Sequence, residues 1–361
     1  MFVHLNWMSH KILIFAFILL FSNSSAMAEK VSFPASNEEH SVVVYSSLDT
    51  SAARPLIEAY QKINPETSVI YHEMQTLEIH ERVARETDQG VVTADLVISS
   101  AMDLQMKLAN DGYAKRVSFP EIANWPNWAK WRNTAFALSY EPAVMIYHKP
   151  SFEGIEVPKT RATLSQFLGN NNNSFYGRIA TYDIERAGLG FLFLARDEEH
   201  YRDIWQLVQA MGSSGVKLYS KSSAILQRVA DGRSAIGYNI LGSYAKSFAE
   251  HNPDLGIILP TDHTVVMSRI ALIPVAAESQ LQGQKLLSFF MSRIGQEVLA
   301  KKSGIRALHP KLSDENTASS LRRKAGKQLR PIPVSPGLLV YLDQVKRARL
   351  IERWNKALRV R

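Results

Sequence analysis

Apolar and polar positions alternate in short blocks along most of the chain. Ser41-Val-Val-Val-Tyr45 is a β-branched run too short for a helix, and it reads as a buried strand. Beyond the polar stretch 46–50, Ala53, Leu56, Ile57, Tyr60 and Ile63 follow the three-and-four spacing of one helical face, and Asn64-Pro65 stops it. The unit then repeats, with strands expected at 68–71 and 95–98, helices at 79–86 and 101–110, and Gly112 just past the last helix. A long apolar strand is expected at 136–148. From about 150 to 262 the order starts again, with helices at 164–168, 201–211, 222–231 and 241–249, an apolar helix start at 188–195, and strands at 178–181 and 235–238. Residues 256–259 and 265–275 read as extended, and 284–290 and 294–303 as helices. Strand, small polar loop and helix in alternation mean an α/β fold with parallel strands, here in two lobes between which the chain crosses twice.

At 361 residues the chain is long enough for about two domains, and 46% hydrophobic with 21% charged residues is ordinary globular usage rather than disorder. The absence of cysteine excludes disulfides, thiolate zinc sites, iron–sulfur clusters and cysteine nucleophiles together. Residues 1–28 have the form of a secretory signal peptide: Lys11, a ten-residue apolar run at 12–21, and Ala26-Met27-Ala28 as the cleavage signal. Ten helical residues span about 15 Å of a roughly 30 Å hydrocarbon core, too little for a membrane anchor. The mature chain is expected to start at Glu29 in the periplasm, where nucleic acid is not an expected partner.

Ligands of parallel α/β sheets lie outside the carboxyl ends of the strands. Four loops there share one composition: Ser46-Ser47; Ser99-Ser100; Thr181-Tyr182-Asp183 with Arg186-Ala187-Gly188; and Tyr238-Asn239 with Gly242-Ser243-Tyr244. Hydroxyls and free amides at a helix N-terminus favour an anion, and Arg186 adds a charge-assisted bond. Serine and threonine also serve as plain helix caps, but four concurrent loops across two lobes favour binding.

Val43-Val-Tyr-Ser-Ser-Leu-Asp-Thr50, Thr93-Ala-Asp-Leu-Val-Ile-Ser-Ser-Ala-Met-Asp-Leu-Gln105, Ile236-Gly-Tyr-Asn-Ile-Leu-Gly-Ser-Tyr244 and Met267-Ser-Arg-Ile-Ala-Leu-Ile-Pro274 resemble extracellular solute-binding proteins of ABC importers. The likeness covers nearly all of 41–310. It is to the branch that holds ferric-binding and hexose-phosphate-binding proteins and the phosphoglycerate transport regulatory protein. The resemblance implies a type II periplasmic-binding fold: two doubly wound lobes joined by a hinge of crossing strands, with ligand in the cleft. Its lobes would be 29–140 with 263–335, and 141–262. By that resemblance Ser46 and Ser47 take phosphate, with Ser99 and Ser100 beside them, and the loop 183–188 meets an anion. Asp183 or Glu185 would accept sugar hydroxyls, and Tyr182 or Tyr238 would stack on a sugar face; either acid could equally be a solvated helix-start residue. Ferric-binding relatives carry two adjacent tyrosines after a strand like 235–238. This chain has Leu241-Gly242 there and no Tyr-Tyr pair, so iron is the lesser alternative.

The chain has no G-x-S-x-G, H-E-x-x-H, Walker A or G-x-G-x-x-G motif, so no enzyme, cofactor or metal site is expected. The expected function is capture of a small anionic solute, an organic phosphate or carboxylate, by a monomer that closes about its hinge. The partner is an ABC permease or, alternatively, the periplasmic domain of a sensor kinase. From Ser320 to the C-terminus, twelve Lys and Arg face Asp343 and Glu352, a net charge of +10. The mature chain carries +7, so the remainder is slightly acidic at −3. Residues 338–358 read as one basic amphipathic helix, and 336–361 as a segment packed on lobe one or docking a partner.

Overall fold

Two seven-stranded sheets organise the computed structural model, which describes residues 29–170 and 172–359. The expected signal peptide lies outside the described residues. The chain begins with β1 (Glu29–Phe33), β2 (His40–Ser46), α1 (Thr50–Gln61), β3 (Thr67–Glu73), α2 (Thr76–Asp88), β4 (Leu96–Ser99), α3 (Met102–Asn110), α4 (Glu121–Asn124), β5 (Lys130–Trp131) and β6 (Ala135–Ala137). It continues with β7 (Glu141–His148), α5 (Arg161–Asn170), α6 (Asn172–Phe175), β8 (Ile179–Tyr182), α7 (Gly188–His200), α8 (Ile204–Ser213), β9 (Lys217–Tyr219), α9 (Ser222–Ala230), β10 (Ile236–Leu241), α10 (Gly242–Ala249), β11 (Leu255–Ile258) and β12 (Thr264–Met267). Last come β13 (Ile270–Leu272), α11 (Gln280–Met291), α12 (Arg293–Lys301), α13 (Ala318–Ala325), β14 (Leu329–Pro331) and α14 (Gln344–Leu358).

Lobe one is built on the sheet β1-β3-β2-β4-β13-β6-β5, and lobe two on β14-β12-β7-β10-β8-β9 with β11 against β7. β2 runs parallel to both β3 and β4, and β8 runs parallel to β9 and β10. Because helices cover both faces, the central strands read as unbroken apolar runs, and β4, β10 and β12 are buried along their whole length. The α1 stripe buries Ala53, Leu56, Ile57 and Tyr60, and Leu56 and Ile57 each contribute roughly 1.5–3 kcal/mol by their burial. Ile63, the last residue of the expected stripe, is exposed because the helix ends at Gln61.

The two long strands expected at 136–148 and 265–275 are each cut in two. β6 and β13 belong to lobe one, while β7 and β12 belong to lobe two, so the chain changes sheets within each. The two crossings lie side by side: Leu138 N donates to Arg269 O at 2.8 Å, and Arg269 N donates to Ser139 Oγ at 2.9 Å.

The C-terminal segment differs most from expectation. Residues 263–335, expected in lobe one, are divided, since β12 and β14 pair with each other in the sheet of lobe two. The single helix expected at 338–358 is also divided. Pro336–Leu342 forms a 3₁₀ turn against α3 of lobe one, with Leu338 buried. Asp343 is extended, and its Oδ1 accepts from Lys346 N at 2.8 Å, which caps a new helix, α14. α14 packs on α8 of lobe two through Leu350, Trp354 and Ala357. Gly212 permits this approach, since a Cβ there would sit 2.6 Å from Leu358 O.

Candidate functional site

The strand ends of both lobes face a cleft of about 820 Å³, a volume typical of small-molecule sites. On the side of lobe one, β2 delivers the loop that starts α1. Ser47 N donates to Ile98 O at 3.0 Å, and Ser47 Oγ accepts from Ser100 N at 3.0 Å, so the loops after β2 and β4 are stitched together. Ser47 and Ser100 line the cleft. Ser46 and Ser99 do not: both are buried, and their hydroxyls accept from Leu48 N and Ala101 N, two residues on.

The N-terminus of α1 is occupied by the protein's own carboxylate. Glu73 Oε2, at the end of β3, accepts from Thr50 N at 2.7 Å and Thr50 Oγ1 at 2.9 Å. The orphan amide and the helix dipole that would favour a phosphate are already satisfied there. Asp49, Glu73, Glu78 and Asp103 all line this wall. Burial pushes the carboxyls of Asp49 and Asp103 above the ordinary range, against smaller downward pulls that include Arg269 and Arg347 respectively.

On the side of lobe two, the loop after β8 turns on Asp183. Its main-chain oxygen accepts from Arg186 N and Ala187 N, and its Oδ1 from Glu185 N at 3.0 Å. α7 then starts at Gly188 with no side-chain cap on its first turn. Gly190 is required in that turn, since a Cβ would fall 2.3 Å from Tyr182 Cβ. Arg186, Ala187, Gly188 and Tyr182 line the cleft. The Arg186 side chain is 80% exposed, and its nearest carboxylate, Asp183, is 3.7 Å away, so the guanidinium is free to engage solute. Tyr182 shares a 2.5 Å hydrogen bond with Ser222 Oγ, and burial pushes its phenol up to about 12. α9 likewise starts uncapped at Ser222, behind Lys221.

Several expected ligand residues serve the fold instead. Thr181 Oγ1 donates to Tyr238 O at 3.1 Å. Tyr238 and Asn239 both donate to Asp197 Oδ2, at 2.6 and 2.7 Å, inside lobe two. Ser243 is buried and donates to Glu141. Glu185 accepts from Asn355 Nδ2 of α14 at 2.6 Å, away from the cleft.

The cleft has contributors that the loop compositions missed: the β3–α2 junction around Glu73 to Thr76, the Ser220 to Ser223 turn after β9, and Tyr244 with Phe248 on α10. The rule that ligands lie beyond strand ends would have found the first had it been applied to the expected strand 68–71. The second was hidden because β9 is a short, mostly exposed edge strand with no apolar run. At the cleft floor Tyr244 Oη donates to Asp49 Oδ1 at 3.3 Å across the lobes, and Arg269 Nη2 donates to Tyr244 Oη at 3.2 Å.

Among the described residues, no helix is long and apolar enough to cross a membrane, and no group of three or more His, Asp or Glu could hold a metal ion. Residues 55–322 match the family of bacterial extracellular solute-binding proteins. The crystal structure of a substrate binding protein of an ABC transporter from Agrobacterium tumefaciens is 55% identical, with a TM-score of 0.86 over 92% of this chain and 99% of that one. AfuA from Actinobacillus pleuropneumoniae, solved with exogenous fructose-6-phosphate bound, is 16% identical, with a TM-score of 0.68 over 90% and 100% of the two chains. Iron-bound HitA from Pseudomonas aeruginosa is 14% identical, with a TM-score of 0.66 over 89% and 99%. At those identities the last two show the type II periplasmic-binding fold alone. No curated protein matches the chain.

Proposed function

The chain belongs to the bacterial extracellular solute-binding proteins, the periplasmic, non-enzymatic binding components of ABC importers, and from that premise we propose that its solute is a small anion captured by hinge closure. The observation that carries this reading is the wall of lobe two. Arg186 and Lys221 stand beside the uncapped first turns of α7 and α9, all facing one cleft. Free amides, helix dipoles and mobile cations converging on one volume suit a phosphate or carboxylate group. Tyr182, held by Ser222, presents an aromatic wall beside them. AfuA, which shares the fold, was solved with a sugar phosphate, and that supports the organic phosphates as the first class to test. Closure would bend the two crossings at 138–140 and 268–269, sliding one lobe's wall toward the other.

Isothermal titration of the mature protein with organic phosphates and carboxylates tests the reading. Arg186→Gln and Lys221→Gln should each weaken binding about tenfold, the loss of one charge-assisted contact of about 1.5 kcal/mol. Unchanged affinity in both variants would remove the anion from this wall.

A further inference from the structure

We propose that the C-terminal segment is a further tether between the lobes, seated on lobe one by Leu338 and latched to lobe two by Tyr341, and that it limits how far the cleft opens. The tether acts whatever solute the cleft takes.

After β14 the chain passes between the lobes twice more. Ile332 N, next to β14, donates to Val266 O of β12 in lobe two at 2.9 Å. Val334 N donates at 2.8 Å to Trp128 O, just ahead of β5 in lobe one. Pro331, Pro333 and Pro336 fix φ along this passage, so it is stiff and has little slack. The turn Pro336–Leu342 then seats on α3, with Leu338 2% exposed. One extended residue, Asp343, separates that turn from α14 on lobe two.

The same turn also grips α7. Tyr341 Oη donates to Glu199 Oε1 at 2.6 Å and accepts from Arg196 Nη1 at 3.2 Å. Arg347, in the first turn of α14, lies 4.4 Å from the centre of the Phe191 ring on α7, and its charge pulls on Asp103 of α3. α3 and α7 both begin at the cleft: Ala101 and Asp103 line one wall, Gly188 and Leu189 the other. A link between these two helices therefore acts on the separation of the walls themselves. Bending at the crossings 138–140 and 268–269 needs changes at few dihedrals, so a limit on opening has to come from contacts elsewhere.

The two ends of the tether are built differently. On lobe one the seat is apolar and buried. On lobe two a cavity of about 270 Å³ lies between α7, the turn and α14, lined by Phe191, Ala195, Val340 and Tyr341 among others. That end is held by the Tyr341 hydrogen bonds and the Arg347 ring contact, and it can give as the lobes part. Wider opening would have to strip Leu338 from α3 and expose it to water, which burial opposes.

The chain has no cysteine, so spin labels at Leu77→Cys and Glu250→Cys report the opening without background. Both positions are exposed and adjoin cleft residues, one on each lobe. Double electron–electron resonance on the mature, solute-free protein gives the distance distribution across the cleft. Tyr341→Phe with a short glycine linker inserted after Leu342 slackens the tether and keeps its apolar seat, while Leu338→Ala frees the lobe-one end. In both variants the distribution should move outward by several ångströms and broaden, with melting still cooperative. A slackened variant whose distribution superimposes on that of wild type overturns the tether. Broadening confined to protein that no longer melts cooperatively overturns it too, since the tail would then be part of the fold and not a stop.

Discussion

Arg269 lies between the lobes with its Nη2 bonded to the Tyr244 hydroxyl at 3.2 Å, and with its Nε 3.1 Å from Glu141. The Arg269 and Glu141 side chains are 3% and 0% exposed, so their charges survive only as a pair. Arg269→Met should therefore cost about 3–5 kcal/mol, because it leaves Glu141 buried and uncompensated. Tyr244→Phe removes one hydroxyl but leaves Arg269 its pairing with Glu141, and should cost about 0.5–1.5 kcal/mol. Urea denaturation of both variants measures the two costs. Equal costs would mean that the crossing does not depend on the buried ion pair.

Asp197 is the pole of a second buried network. Burial pushes its carboxyl up, but the Arg161 guanidinium at 2.6 Å and hydrogen bonds from His263, Tyr238 and Asn239 outweigh this and bring it down to about 2. A carboxyl depressed in the folded state stabilises the fold above its unfolded value, near 3.8, and loses that contribution as pH falls toward 2. The wild-type melting temperature should thus drop steeply between about pH 4 and pH 2. Asp197→Asn should start about 3–5 kcal/mol less stable at pH 7, since the buried Arg161 loses its fully buried partner and keeps only the partly exposed Asp262, and show a shallower acid slope. Parallel acid slopes in the two proteins would place the loss elsewhere.

Much of this architecture was legible in the chain. The runs at 41–45 and 95–98 and the α1 stripe declare themselves because a fully buried strand and an amphipathic helix both leave periodic signatures. The breaks at 138–140 and 268–269 leave none, since both halves of each long strand are buried and only the partner sheet changes. The cleft was half legible. Ser47, Ser100 and Arg186 face it, but Ser46 and Ser99 belong to the same dipeptides and turn inward, a choice set by their bonds to Leu48 N and Ala101 N. Composition counts hydroxyls and cannot tell which of two neighbours points out. The acidic wall was overlooked for a related reason: Asp49, Glu73, Glu78 and Asp103 lie at or just beyond the ends of three separate strands, two of them in helix first turns, and converge only in the folded chain.

That wall should show itself in stability. Burial raises the Asp103 carboxyl above the usual value of 3.8, so its ionisation is harder in the folded state than in the unfolded one. The sign is opposite to that of Asp197: Asp103 weakens the ligand-free fold progressively as pH rises past 3.8. Asp103→Asn should therefore melt higher than wild type at pH 7, with the gap closing below pH 4. A binding site that keeps a desolvated charge at the expense of stability is expected to behave this way. An Asp103→Asn protein that melts lower than wild type at pH 7 would show that the carboxylate is satisfied rather than strained.

The basic tail yields the last prediction, because its apolar and charged faces do different things. Trp354, Leu350 and Ala357 seal α14 onto α8, and Trp354→Ala should cost about 3–5 kcal/mol in the cavity it leaves. Deleting the segment would therefore damage lobe two and release Glu185, which Asn355 holds at the start of the α7 loop. Lys346 and Arg349 stand exposed along the groove between α14 and α7, beside Glu198 and Glu199, and make no ion pair among the described residues. Lys346→Glu with Arg349→Glu should leave stability within about 0.5 kcal/mol of wild type. The charge variant, unlike truncation, separates docking to the permease from folding: in reconstituted transporter it should lower solute-dependent ATP hydrolysis if the tail meets an acidic surface there. Unchanged hydrolysis at low and high salt would confine the tail to bracing α8 and the loop around Glu185.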